Sequence, residues 1–206
     1  MLQETSEKDQ IELARAEPKA FGPLYDRYFD PIFNYCLHRL GSVVEAEDIT
    51  AQTFAKALAN LRFFKWKGIS FGAWLYRIAT NEMQSYLRKG RITYVDPAQM
   101  SIVEPRNPHS ELEELEQELA EFETFRVLQR CLGQLKPRDQ ALITLHYFEN
   151  KTFSECAEIL GVRTGTLIMR CRRALEKLKF VMEKKGVRYE GFGTLPEGNP
   201  QTATFS

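Results

Sequence analysis

The run from Thr152 to Leu178, TFSECAEILGVRTGTLIMRCRRALEKL, leaves a folding chain few choices. Thr152 followed by Glu155 fits a capping box, in which each side chain satisfies an orphan backbone donor at a helix start. Cys156, Ala157 and Leu160 then mark one apolar face. Gly161 suits the left-handed conformation that ends a helix, and Val162 seals the corner. A second helix opens near Thr164, with Leu167, Cys171, Ala174 and Leu178 recurring at helical spacing. Burying that face turns Thr166, Ile168, Met169, Arg172 and Arg173 outward or to the flanks. Two short helices joined by a tight turn, the second one basic, suit insertion of the second helix into a DNA major groove. The same pattern also fits a helical hairpin with a solvated charged face, and the surrounding chain decides between them.

A length of 206 residues accommodates one large or two small domains. No apolar stretch is long enough to span a membrane, and residues 1–21 are polar, without the apolar centre of a signal peptide. The expected location is the cytoplasm. Cys36, Cys131, Cys156 and Cys171 are far apart and fall at apolar helical positions, with no CxxC pair. They read as small core hydrophobes in a reducing compartment rather than disulfides or metal ligands. His38, His109 and His146 form no ligand pattern, and neither a metal nor another cofactor is expected. The sequence also carries no Gly-rich phosphate loop and no nucleophile–base pair, so no catalysis is expected of it.

A formal net charge of zero argues at first against nucleic acid, but the charge is segregated. The balance is −4 over residues 1–60, +6 over 61–94, −8 over 95–125, +8 over 126–189 and −2 over the remainder. Two basic blocks separated by an acidic one imply two modules that each meet an anionic surface.

Helical periodicity dominates throughout, and the chain reads as all-α. A helix from Pro23 to Leu40 packs through Leu24, Tyr28, Ile32, Tyr35 and Leu40, with a kink expected at Pro31 and a stop at Gly41. Ser42 and Glu45 resemble a second capping box, opening a helix to about Leu61 through Ile49, Phe54 and Leu58. RFFKWKGI, residues 62–69, breaks the pattern. Ser70 then caps a helix to about Arg91, whose apolar face is Phe71, Trp74, Leu75, Ile78, Met83, Tyr86 and Leu87. Gly72 in its first turn costs up to ~1 kcal/mol relative to alanine. Pro137 starts another helix, through Leu142, Ile143, Leu145, His146 and Phe148, ahead of the helix–turn–helix. The expected organisation is an N-terminal extension (1–19), a first helical domain (20–94), an acidic linker (95–123), a second helical domain (124–185) and a loose tail (186–206).

Two stretches resemble one family. FGPLYDRYFDPIFNYCLHRLGSVVEAEDITAQTFAKAL with ISFGAWLYRIATNEMQSYLRK is similar to region 2 of the sigma-70 family. LGQLKPRDQALITLHYFENKTFSECAEILGVRTGTLIMRCRRALEKLK is similar to its region 4. Together they cover roughly three-fifths of the chain, and the short length resembles the extracytoplasmic-function (ECF) class of bacterial sigma factors. The resemblance implies a region 2 helical bundle and a region 4 helix–turn–helix joined by a flexible linker. It also implies core RNA polymerase (the β′ clamp coiled coil and the β flap) and promoter DNA as partners, with an anti-sigma factor as a further one.

The resemblance also assigns residues. AEDITAQTF matches the polymerase-docking segment, implying contacts from Asp48, Ile49, Gln52 and Thr53; Ala51–Gln52 stands where Gln–Glu is common. For the −10 element it implies the loop residues Phe63, Phe64, Lys65, Trp66 and Lys67, then Arg77, Asn81, Ser85 and Arg88 along the following helix. Interleaved aromatic and basic side chains suit capture of an unstacked base, although the same aromatics could close a core beside Trp74. Ser85 stands where Asp is common. For the −35 element it implies Thr164, Thr166, Ile168, Met169, Arg170, Arg172 and Arg173. Ile168–Met169 replaces a common Lys–Ser pair and can meet thymine methyls without donating hydrogen bonds. Two other readings are a helix–turn–helix regulator that acts without core polymerase, and a helical partner-binding adaptor.

Overall fold

The computed structural model describes residues 6–66, 69–88 and 127–185, and among these every regular element is helical. The first lobe contains α1 (Glu7–Ala16), α2 (Gly22–Leu40), α3 (Val43–Asn60) and α4 (Phe71–Arg88). The second contains α5 (127–132), α6 (Pro137–Ile143), α7 (Phe153–Leu160) and α8 (Thr164–Lys184). The acidic linker and the tail expected at 95–123 and 186–206 lie outside the described residues.

Local sequence chemistry explains several helix ends. The Thr152–Glu155 capping box forms in both directions, and Gly161 closes α7 at φ 66° with its N–H donated to the Ala157 carbonyl. Gly41 closes α2 in the same left-handed conformation, and α2 runs on through Pro31 to reach it. Ser70 accepts from the Ala73 N–H at 3.2 Å, as a cap of α4 should. Ser42 is a correction: its side chain makes no capping bond at the start of α3. Gly72 has a steric reason, since a Cβ there would stand 2.8 Å from the Tyr28 ring.

The N-terminal stretch expected as an extension is instead part of the first lobe. Ser6 caps α1 by accepting from the Asp9 N–H. Ile11 and Ala14, three residues apart on one face, are buried in the same core as α2, α3 and α4.

That core does not stop at the lobe boundary. Leu142, Leu145, Cys156, Ile159, Leu167 and Cys171 belong to the same buried cluster as Leu24, Tyr35, Ile49, Leu75 and Met83. A second cluster of Cys131, Leu132, Leu135, Ile143, Ala174, Leu178, Val181 and Met182 ties α5 and α6 to the later turns of α8. All four cysteines are buried and unpaired with one another, as expected of small core hydrophobes. Burial pushes the Cys36 and Cys156 thiols up to about 12 and Cys171 to about 11, which keeps them protonated and weakly nucleophilic at neutral pH.

Candidate nucleic-acid interface

The helix–turn–helix presents its second helix as the sequence pattern requires. Leu167, Cys171, Ala174 and Leu178 face inward. Thr164, Thr166, Arg172 and Arg173 stand exposed on α8, and Ile168 and Met169 are 49% and 51% exposed. Arg172 makes an exposed pair with Glu176, at 3.3 Å. Such pairs are weak enough to exchange for a phosphate. Arg170 behaves differently. Its Nε donates to Asp139 Oδ1 at 2.6 Å, so the guanidinium holds α8 to α6 instead of standing free for DNA. An aliphatic pair beside two exposed arginines can meet phosphates and thymine methyls, with few donors for base edges.

The loop between α3 and α4 divides its aromatics between core and surface. Phe64, only 3% exposed, lies among Trp66, Phe71 and Trp74 with ring centroids 5.0–5.4 Å away. This corrects the expectation that Phe64 faces DNA: the first turn of α4 needs it to complete the core. Phe63 is 63% exposed, with the Arg62 guanidinium 4.6 Å above its ring. Trp66 keeps an exposed edge, and Lys65 is exposed. Lys67 lies outside the described residues.

Along α4, Asn81 and Arg88 are exposed and Ser85 is partly so. Arg77, expected at the DNA surface, instead faces the second lobe. Its Nε donates to the Ile159 carbonyl at 3.2 Å and its Nη2 to the Glu158 carbonyl. The reason is electrostatic: the last carbonyls of α7 have no intrahelical donors and attract a cation. Glu158 also accepts from the Ser70 backbone N–H at the start of α4. The end of α7 and the start of α4 are thereby satisfied by each other.

The candidate polymerase segment is likewise split by helical geometry. Asp48 and Gln52 are exposed on α3, with Gln52 Nε2 donating to Asp48 Oδ2 at 3.2 Å. Ile49 and Thr53 are corrections, being buried; Thr53 Oγ1 donates to the Ile49 carbonyl at 2.7 Å within the helix. The outward face available to a partner is Asp48, Ala51, Gln52 and Ala55.

A hub at Glu149 completes the lobe contact and was not legible in sequence. The wide turn Thr144–Phe148 after α6 carries it beneath α2 and α4. Its Oε1 lies 3.0 Å from His38 Nδ1, and its Oε2 accepts from the Tyr76 hydroxyl at 3.2 Å. Burial, and then the Glu149 carboxylate, push the Tyr76 hydroxyl pKa upward, which keeps it a donor. Lys151 sits 5.1 Å over the Tyr76 ring, and Gln129 Nε2 donates to the His38 carbonyl at 2.5 Å.

Among the described residues the fold is two-lobed and all-helical, with basic and apolar side chains exposed on both lobes. The family model for sigma-70 region 2 matches residues 24–92, and that for sigma-70 region 4 matches residues 125–178. The chain is 32% identical over 176 residues to the ECF RNA polymerase sigma factor BldN of Streptomyces coelicolor, covering 82% of this chain and 64% of that protein. It is 30% identical over 172 residues to the ECF RNA polymerase sigma factor SigW of Bacillus subtilis, covering 82% and 91%. Among solved structures, CnrH in complex with the cytosolic domain of CnrY shares the fold at a TM-score of 0.59 and 22% identity, over 85% of this chain and 95% of that one. The sigma factor RpoE in complex with the anti-sigma factor NepR, from Bartonella quintana, does so at 0.56 and 21%, over 80% and 98%. The chain belongs to the sigma-70 family, in its extracytoplasmic-function class. As such it is a sigma factor, a subunit that joins core RNA polymerase and directs it to promoters. No helix among the described residues is long and apolar enough to cross a membrane.

Proposed function

We propose that this sigma factor works bivalently: the first lobe docks on core polymerase and opens the −10 element, while α8 holds the −35 element. The observation that carries the reading is the presence, in one chain, of two separate exposed surfaces of nucleic-acid character. One is the Arg62–Phe63–Lys65–Trp66 loop with Asn81 and Arg88; the other is Ile168, Met169, Arg172 and Arg173 on α8. Asp48 and Gln52 form the polymerase-facing patch on α3. Two weak contacts joined by one chain gain effective concentration, so neither lobe has to bind tightly alone.

Geometry adds a condition. The two promoter elements lie about 25 base pairs apart, roughly 85 Å at 3.4 Å per step. A compact body of this size is about 40 Å across. The lobes packed through Arg77 and Glu149 therefore cannot hold both elements at once, and initiation requires them to separate. In the packed arrangement Arg77 is committed to α7; separation frees it for the upstream part of the −10 element. An anti-sigma protein is a proposed partner that would act on this equilibrium.

Run-off transcription with core polymerase on a randomised promoter library tests the function. Transcripts should start only from templates with two elements at fixed spacing. Initiation no better than core alone would remove the sigma-factor reading, and initiation from templates lacking the −10 element would remove the bivalent one.

A further inference from the structure

We infer that Arg15, on the helix α1 that precedes the region matched to the family, is a positioning residue for promoter opening. It would set the loop that offers Phe63 and Trp66 to an extruded base. The inference rests on the base-capture reading of that loop given above.

The loop is braced from α1 at both ends. At its start, Arg15 Nε donates to the Leu61 carbonyl at 3.2 Å and Nη2 donates to the Phe64 carbonyl. One planar guanidinium thus spans residues 61 to 64, and Phe63 lies inside that span. Glu12 holds the same guanidinium from the other side, at 2.6 Å. At the far end, Glu7 accepts from the Tyr28 hydroxyl. The Tyr28 ring lies against Gly72 and makes an edge contact with Phe71, its centroid 5.6 Å away, in the first turn of α4. Arg27 pairs with the same Glu7 at 3.5 Å.

This arrangement is more than the fold needs. Ile11 and Ala14 already bury α1 against the core, and Phe64 already plugs the loop into it. Arg15 adds a restraint on the loop backbone. The Leu61 and Phe64 carbonyls flank the exposed Phe63, and Phe64 stands two residues before Trp66. A base that leaves the stack recovers the full ~1–3 kcal/mol on an aromatic face only if that face is already in place; ordering the loop at that moment would consume part of the gain. A forked donor fixes two carbonyls together in a way that a lysine ammonium cannot.

The test uses the full chain in holoenzyme with core polymerase. Its templates are a duplex promoter taken from the library and the same promoter mismatched across the −10 element. Permanganate reactivity of unpaired thymines reports opening, and run-off transcription reports activity. Arg15→Ala should bind core polymerase and closed duplex as the wild type does, yet open the duplex roughly tenfold less. The mismatched template should restore transcription to within about twofold, because the base is then already unstacked. Arg15→Lys should recover only part of the opening. Equal loss on both templates, or loss of core binding with loss of helicity, would make Arg15 merely structural and overturn the inference. So would wild-type opening by Arg15→Ala. The Phe63→Ala/Trp66→Ala variant separates the two levels. If it opens the duplex normally, base capture is wrong and the role of Arg15 falls with it. If it fails while Arg15→Ala succeeds, only the positioning role is wrong.

Discussion

Arg77 of α4 closes the C-terminal end of α7, donating through Nε to the Ile159 carbonyl at 3.2 Å. A residue on the helix expected to meet the −10 element is thereby spent on the lobe proposed to hold the −35 element. On the proposed function, free protein and initiating complex compete for the same guanidinium.

Glu149 is the point at which that competition can be shifted. It is only 7% exposed and is held from the first lobe by His38 and Tyr76. Glu149→Ala should destabilise the packed arrangement by about 1–3 kcal/mol, since His38 and Tyr76 lose the carboxylate that joins them to the second lobe. Small-angle scattering should show a larger radius of gyration for the variant. An unchanged radius with an unchanged urea midpoint would assign the lobe contact to apolar burial alone.

Asp48→Arg should abolish association with core polymerase and leave helicity intact. Asp48 is exposed on α3, so the change costs little in folding while placing a cation on the patch proposed to dock. Undiminished co-purification with core would rule out this face as the dock.

Arg172→Ala/Arg173→Ala should weaken DNA binding across sequences, flattening the slope of log affinity against log salt by roughly 1–2 units. Both side chains are exposed on α8, and the pair Arg172 makes with Glu176 is a surface one. A changed sequence preference at constant salt slope would identify base readers instead.

The capping box of α7 makes an acid-side prediction. Partial burial of Glu155 acts to raise its pKa, but hydrogen bonds from the Thr152 N–H and hydroxyl, both at 2.8 Å, together with Lys151, bring it below the ordinary 4.5. A carboxylate with a lowered folded pKa contributes stability above its unfolded value and loses it as pH falls through the folded one. Unfolding free energy should therefore drop more steeply for the wild type than for Glu155→Gln between about pH 5 and 3. Parallel curves would mean the box is not ionised in the way described.

What could be read from sequence was what periodicity and local chemistry determine. Thr152–Glu155, Gly41, Gly161 and Ser70 act through neighbours three or four residues away, so they were visible; so was the inward face of α8. Ser42 offered the same pattern without forming the bond. Ile49 and Thr53 were misplaced because a motif names consecutive residues, whereas a helix exposes only some of them. Phe64 could not be told from Phe63, since alternation in an irregular loop carries no face. Arg77 was expected at the DNA surface, and Glu149 and Arg15 drew no reading, because the partners that place them across the fold are more than 40 residues away. Helix α1 was missed as a packing element, although Ile11 and Ala14 share a face, because polar residues surround that short apolar stripe.

The distance between the lobes tests the central claim most directly. Ala59→Cys and Lys179→Cys place labels at exposed positions on α3 and α8, while the four native cysteines stay buried. Energy transfer measured in the free chain should be high, because the lobes share one core. In a transcribing complex with core polymerase and promoter it should be nearly lost, as α4 and α8 move to elements roughly 85 Å apart. Transfer that stays high while the complex makes RNA would contradict the account.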